Sequence, residues 1–220
     1  MGRITIDPEL RVRCPGAVLC SLRAEVRAEA TAPTLSEEMR LCEQHILELP
    51  APRSVLESQK ILATRAGYKA LGKDPARYRG SAEALLRRIL GGKGFPQINA
   101  VVDSINLVSV ESRFSIGLYD LAAVQGDVVF RVGRAGETYK GIGKYDLNLE
   151  GLPVFADEKG PHGSPTSDSE RTMVTEQTRR ILVIVVSFSG PEGLEAAAGR
   201  LATLLRNYAE GREIHVEMVR

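Results

Sequence analysis

The sequence predicts a mixed α/β fold, an α+β arrangement in which a largely antiparallel sheet is flanked by helices. Three observations point to it. Residues 16–27 alternate with period two, short apolar runs of strand length recur from residue 127 onward, and segments of helical spacing stand between and after them. No internal repeat or low-complexity linker interrupts this order.

Residues 3–7 read as a first strand. In the second, Val18, Cys20, Leu22, Ala24 and Val26 alternate with Leu19, Ser21, Arg23 and Glu25. Thr34-Leu35-Ser36-Glu37 has the form of a capping box and opens a helix that Pro50 and Pro52 end. A second helix is predicted over 55–66, stopped by Gly67 or Gly72. Ser81 caps a short helix carrying Leu85, Leu86, Ile89 and Leu90, terminated by Gly91-Gly92. After Phe95-Pro96, Ile98, Val101, Val102, Ile105 and Val108 fall on one side of a further helix. Strands follow over 128–132, 152–156 and 181–188, with turns at Gly133, Gly136, Gly141 and Gly143. Ser189-Gly190-Pro191-Glu192 forms a second capping box before a helix with Leu194, Ala198, Leu201 and Leu205, and 213–219 closes the chain as a strand.

The chain has 220 residues and a formal net charge of +1 from 29 basic and 28 acidic side chains. Its 43% hydrophobic and 26% charged residues describe a globular protein with a sizeable core, and exclude both disorder and a global field for phosphate. The longest purely apolar run, 181–186, falls far short of the roughly 20 residues that span a bilayer. The N-terminus has no signal-peptide stretch and lacks the hydroxyl that myristoylation favours at position 6, where Ile6 stands. Cys14, Cys20 and Cys42 form no CxxC pair, so reduced thiols in a cytoplasmic protein are expected, without a metal site. No membrane partner and no DNA are expected, and a monomer suffices.

Positive charge concentrates at Lys69, Lys73, Arg77, Arg79, Arg87, Arg88 and Lys93, with Tyr68 and Tyr78 among them. This is either a solvated face or a phosphate-contacting surface whose cations release counterions and whose tyrosines stack on bases. Walker, HExxH, GxSxG and dinucleotide signatures are absent from the sequence. His45 and His215 read as structural, whereas His162 lies in a glycine–proline segment and is a site candidate. That segment, 157–172, packs glycines, prolines, hydroxyls and both charge signs between two apolar strands. It reads either as a solvated loop with Asx turns or as a pocket lining that holds a carbonyl and positions a water. No distinctive Ser-His-Asp spacing marks a nucleophilic serine.

Several segments, taken in order, carry a resemblance. Ile98-Asn99-Ala100-Val101-Val102-Asp103, then Asn106 and Val108, is followed by Ser115-Ile116-Gly117-Leu118-Tyr119-Asp120. Next come Gly126, Phe130-Arg131-Val132, Gly136-Glu137, Lys140-Gly141, residues 152–157 and Val174-Thr175-Glu176-Gln177-Thr178. Together they resemble the editing domain of the phenylalanyl-tRNA synthetase beta chain, its third and fourth modules, over about residues 79–188. The whole chain is similar to free-standing versions of that domain, in which a loop like Gly163-Ser164-Pro165-Thr166-Ser167-Asp168-Ser169 is typical. Some of those are trans-editing factors, among them a deacylase for arginine tRNA mischarged with canavanine. The resemblance divides the chain into an N-terminal part, 1–78, packing on an editing-like domain, 79–220, as one compact unit.

The resemblance implies hydrolysis of the ester joining a wrong amino acid to tRNA. That ester is already activated, so a positioned water and oxyanion donors suffice without a cofactor. The implied catalytic residues are Asn106, Ser167, Asp168 and Glu170. The implied substrate pocket takes in Ile105, Ser115, Gly117, Gly141, His162, Thr166 and Ser169. Asn106 matches a pocket asparagine, Gly141 a glycine that lets substrate approach the backbone, and Glu170 lies close to an acid that reads the amino-acid side chain. The family's pocket histidine corresponds to Gly117, its threonine to Ile105 and its proline to Ser115. Loss of a ring at 117 is expected to make room for a longer side chain. Asp168 and Glu170, beside Asp157 and Glu158, are expected to pair with a cationic group such as a guanidine. The basic residues from Lys69 to Lys93 are expected to face tRNA. A trans-editing deacylase acting on a mischarged tRNA is the reading that results. Its alternatives are a non-catalytic RNA-binding module of the same fold and a small-molecule protein reusing the pocket.

Overall fold

The computed structural model describes residues 2–143 and 145–220, which stack in three layers. The middle layer is an antiparallel sheet in the order β10 (Arg212–Val219), β2 (Val18–Glu25), β9 (Arg180–Ser187), β3 (Ser115–Asp120). Strand β9 carries the unbroken apolar run for a physical reason. Ile181, Val183 and Val185 enter the core beneath the helices, and Leu182, Ile184 and Val186 enter a second core on the opposite face. A strand covered on both faces has no solvent side on which to place polar residues.

Helices α2 (Pro33–Leu47), α4 (Ser81–Leu90), α5 (Ala100–Ser112) and α6 (Leu194–Tyr208) cover one face. A second sheet covers the other, in the order β1 (Ile4–Ile6), β4 (Val128–Val132), β7 (Pro153–Asp157), β8 (Gly160–Gly163). Within it β1 and β4 run parallel and the remaining pairs antiparallel. Between the sheets Phe130 stacks on Phe155 with ring centroids 4.5 Å apart. A smaller core joins Tyr68 of α3 (Gln59–Ala70) to Tyr139, Leu149, Leu152 and Val154. Tyr139 belongs to a hairpin of β5 (Thr138–Lys140) and β6 (Asp146–Asn148). Helix α1 (Pro8–Arg13) is capped by Asp7, whose carboxylate accepts from the Glu9 N–H at 2.9 Å, with Pro8 at the first helical position.

The mixed α/β class with antiparallel pairing holds. Two stacked sheets replace the single one expected; the longer helices cover one face of the central sheet, and α1 contributes Leu10 to the core on the other. Both sheets join strands from either side of residue 79: β2 pairs with β9 and β10, and β1 with β4.

Several local expectations are corrected. Helix α2 starts at Pro33 behind Ala32, so Thr34 lies inside it and the capping box does not form; Glu37 instead binds Arg40 at 2.7 Å. The helix predicted over 55–66 is a 3-10 turn, Pro52–Glu57, followed by α3, because Pro52 tightens the first turn. Gly80, not Ser81, precedes α4. Ile98 is 62% exposed, because α5 begins only after Asn99, whose side chain caps the Val102 N–H at 3.0 Å. Helix α6 starts after Gly193 at φ 84, a left-handed turn that leaves Ser189 to bond Ser187 instead. Within 157–172, read as a loop, 160–163 forms β8 and Glu170–Thr172 a 3-10 turn. Among the described residues no helix is long and apolar enough to cross a membrane, and no acidic, cysteine or histidine cluster is arranged to hold a metal. The cysteines are free, and burial pushes the Cys20 and Cys42 thiols up to about 11, which keeps them unreactive.

Candidate active site at the edge of β3

Strand β3 pairs with β9 on one side only. The N–H groups of Ile116 and Leu118 point from its other side, and two side chains satisfy them. Ser81 Oγ, from the first turn of α4, accepts from Ile116 at 3.4 Å, and Asp168 Oδ2 accepts from Leu118 at 3.1 Å. An open edge invites another strand, so these contacts close it while fixing the Asp168 carboxylate.

The segment carrying Asp168 is held from several directions. Ser164 Oγ donates to the Ser167 carbonyl at 2.9 Å and accepts from the Ser167 N–H at 3.1 Å. Tyr139 donates its hydroxyl to the same carbonyl at 2.5 Å, and the Tyr68 hydroxyl meets Thr166 Oγ1 at 2.6 Å. Burial raises the pKa of both phenols, so they remain protonated. The Ser81 N–H donates to the Pro165 carbonyl at 2.7 Å, and the Ser169 N–H to that of His162 at 3.0 Å. On the far side the Ile142 N–H donates to the Asp168 carbonyl at 3.1 Å, and Gly141 bridges to Ser169. A Cβ built on Gly141 would stand 2.9 Å from Leu147 Cδ1 and 3.4 Å from Ser167 Oγ, so glycine keeps the backbone close to Ser167.

At Gly117 the expectation of extra room is overturned. A Cβ placed there, or on Gly163, would collide with the Tyr119 hydroxyl. Tyr119 lies two residues along the same face of β3 and fills the space with its own ring. His162 stands edge-on to that ring at 4.6 Å and is completely buried. Burial pushes its imidazole down to about 4, against the opposing pull of Asp157, so it is neutral at pH 7. Burial, and then the negative charge of Asp168, hold the Tyr119 phenol well above its ordinary pKa.

The expected acidic pocket is largely compensated. Asp157, its carboxylate buried, pairs with Arg171 at 2.9 Å. Glu170 accepts a 2.9 Å ion pair from Lys140 across the rim. The edge of β3 thus brings together Gly117, Gly141, His162, Thr166, Ser167, Asp168 and Ser169, with Glu170 at the rim. Ser115, from the same strand, packs against Gly80. Ile105 belongs instead to the core on the helix-facing side, and Asn106 follows it, half-buried, on α5. Of the basic residues, Lys69, Arg77, Arg79, Arg87, Arg88 and Lys93 are exposed, and Lys73 packs over the Tyr78 ring at 5.4 Å. A cleft of about 340 Å³ lined by Glu25, Arg27, Arg179, Arg180, Glu210 and Arg212 shares no residue with this edge.

Sequence reasoning missed Tyr119, Tyr139 and Ser164 as site residues, and Tyr68, expected to stack on bases from the basic stretch, is instead completely buried and holds Thr166. Only Tyr119 left a local signal, its same-face spacing from Gly117. The two other tyrosines come from distant segments that meet at the loop only after folding.

Comparison with known proteins adds a lineage. Residues 63–210 match the sequence profile described as "B3/4 domain". The phenylalanine–tRNA ligase beta subunit of Paramagnetospirillum magneticum is 30% identical over 128 residues, 57% of this chain and 16% of that subunit. Those of Brucella abortus and Bartonella quintana are each 32% identical, over 37% and 44% of this chain and 10% and 12% of their own length. A solved N-terminal fragment of the Pyrococcus horikoshii phenylalanyl-tRNA synthetase beta subunit is similar at a TM-score of 0.49 and 16% identity, over 99% of this chain and 50% of the fragment. The chain thus aligns with only a small part of the curated subunits' length. Because the profile match spans α4, α5 and the whole edge of β3, this chain belongs to the B3/4 domain family, that of the phenylalanyl-tRNA synthetase beta-subunit editing domain.

Proposed function

We propose that this chain is a trans-editing aminoacyl-tRNA deacylase that hydrolyses the ester of a mischarged tRNA. The observation that carries the reading is Asp168, anchored through one oxygen to the Leu118 N–H between two glycines of the edge site, Gly117 and Gly141. A carboxylate held by a backbone donor is pre-positioned to orient a water. The water oxygen bonds to the ester carbonyl carbon, the bond from that carbon to the ribose oxygen breaks, and the water proton passes to the ribose oxygen. Ser167 supplies a hydroxyl beside Gly141. No cofactor is required for this chemistry.

The side-chain class we favour is cationic, canavanine on arginine tRNA being one such substrate. Glu170 already holds a cation, Lys140, at the rim. A guanidine-like side chain that displaces the Lys140 ammonium exchanges one ion pair for another. The test is amino-acid release from a panel of mischarged tRNAs, cationic and neutral, with wild type, Asp168→Asn and Glu170→Gln. Release from a cationic ester, slowed about 100-fold by Asp168→Asn, is expected when one transition-state interaction is removed. One observation favours the second reading, a non-catalytic tRNA-binding module: Tyr119 fills the space beside Gly117. tRNA binding with no release from any member of the panel would establish that reading instead.

A further inference from the structure

Three arginines converge on one buried carboxylate beside the edge site. Glu83 of α4 is 3% exposed. Arg65 of α3 grips it with two hydrogen bonds, Nε to Oε2 at 2.9 Å and Nη2 to Oε1 at 2.8 Å. Arg87, one turn along α4, donates Nε to Oε1 at 2.7 Å, and Arg79, just before the helix, brings its Nε to 3.9 Å from the same oxygen. The three side chains remain 28%, 40% and 44% exposed for Arg65, Arg87 and Arg79. Burial opposes ionisation of Glu83, and the hydrogen bonds from Arg65 and Arg87 outweigh it and lower its pKa.

The cluster carries more positive than negative charge. Arg65 alone, bidentate, neutralises Glu83 in the geometry that suits a carboxylate best. Arg79 and Arg87 are surplus, so a net +2 is held on a rigid base at the surface. Their outer nitrogens keep free donors, since each presents only Nε to Glu83. Glu57, farther off, also attracts Arg65. The preceding residues Gly80 and Ser81 touch the edge site directly, through Ser115 and through the Ile116 N–H and the Pro165 carbonyl. From Ser81 to Arg87 is roughly 9 Å along the helix. A single-stranded 3′ end lying in the site covers that distance within its last few nucleotides.

We infer that Arg65, Arg79 and Arg87, arranged by Glu83, form a cradle for a phosphodiester of a single-stranded RNA end. Glu83 acts as a positioning residue, and Arg79 and Arg87 bind the phosphate. The inference rests on the tRNA reading only for the identity of the anion, and its test uses no hydrolysis.

The experiment measures binding of a fluorescent, uncharged RNA minihelix with a single-stranded 3′ end by anisotropy across a potassium chloride series. Wild type is compared with Arg79→Ala, Arg79→Ala/Arg87→Ala, the charge-keeping Arg79→Lys/Arg87→Lys, and Arg40→Ala on α2 as a control away from the cradle. Arg79 stands outside hydrogen-bonding distance of Glu83, so its removal leaves the Arg65–Glu83 pair intact and the fold unaffected. The double alanine variant is expected to bind about tenfold more weakly. It should also lower the slope of log affinity against log salt by about 0.7 for each phosphate it no longer neutralises. The lysine variant recovers most of the affinity, and Arg40→Ala matches wild type. Unchanged affinity and slope in both alanine variants would overturn the proposal. So would competition by millimolar inorganic phosphate equal to that by a phosphodiester oligonucleotide, which would make the cradle a free-anion site. Weakened RNA binding in a chain that hydrolyses no ester supports the cradle and removes the deacylase reading. Hydrolysis with unaltered RNA binding does the reverse.

Discussion

The two faces of the central sheet solve different problems. Beneath the helices, Leu22, Val183, Val185, Leu201 and Leu205 belong to a mostly aliphatic core, and the buried carboxylates of the helix layer, Glu83 and Asp103, are each held by hydrogen bonds, from Arg65 and Arg87 and from Thr31. On the opposite face, Tyr119, Phe130 and Phe155 pack beside a buried imidazole, and the Asp168 carboxylate caps the sheet edge. The first face is a store of burial energy, whereas the second gives up some of that stability to hold polar groups in place. The proposed chemistry lies where the two layers meet, at the strand whose outer edge belongs to neither.

The largest effect expected of a single change lies on the helix-facing side. Leu201→Ala removes a fully buried side chain and is expected to cost about 3–4 kcal/mol in urea unfolding, with activity per folded molecule unchanged. A change in that specific activity would mean that the two faces are coupled. The sheet-facing side should respond to pH instead. His162 titrates at about 4 when folded and at its ordinary value near 6.5 when unfolded. Below pH 6.5 the unfolded chain takes up a proton that the folded imidazole refuses. Stability is therefore intact above that pH and declines by about 3 kcal/mol as the pH falls to about 4. His162→Phe, which keeps an edge-on ring and removes two nitrogens without hydrogen-bonding partners among the described residues, should flatten this slope in melting curves between pH 7 and 4.5. A slope that survives the substitution assigns it to other groups.

Tyr139→Phe sharpens the comparison further. It removes a donor to the Ser167 carbonyl, which Ser164 still serves, so the expected loss is about 1–2 kcal/mol. Because the same carbonyl anchors the segment before Asp168, any ester hydrolysis should fall more than stability does. Equal falls would make the tyrosine purely a packing residue. The smallest effect on folding belongs to Glu170→Gln, because solvent screens its pair with the exposed Lys140. A selective loss for cationic over neutral amino acids would be its signature in the deacylation panel.

Much of the fold is readable where one segment decides its own fate. The alternation of 18–26 and the unbroken run of 181–186 mark the two central strands, and the order of short segments from Ile98 to Thr178 marks the lineage. What escapes is set by distance in the chain. Nothing near Gly117 says that its space is taken by a ring unless residue 119 is known to lie on the same face. Nothing near Glu170 announces Lys140, and the capping boxes at Thr34 and Ser189 lose to Pro33 and to the left-handed Gly193, which place the helix starts elsewhere. Arg65 and Arg87 stand 18 and 4 residues from Glu83, and only the packing of α3 against α4 makes one cluster of them.

The placement of β2 has a consequence for how the chain is made. Val18 pairs with Ser187, and Leu19 with both Val186 and Val219, so this early strand is the innermost partner of two very late ones. During synthesis β2 emerges with neither neighbour in existence, a largely apolar strand of eight residues unpaired on both edges. The loop that must close before either pairing forms is most of the protein, which places the central sheet among slow, non-local folding events. The helix packed against β2, α6, follows β9 in the chain and cannot cover the strand in the interval. Ribosome-bound chains arrested before residue 180 should therefore be protease-sensitive at β2 and gain protection only as β9 emerges.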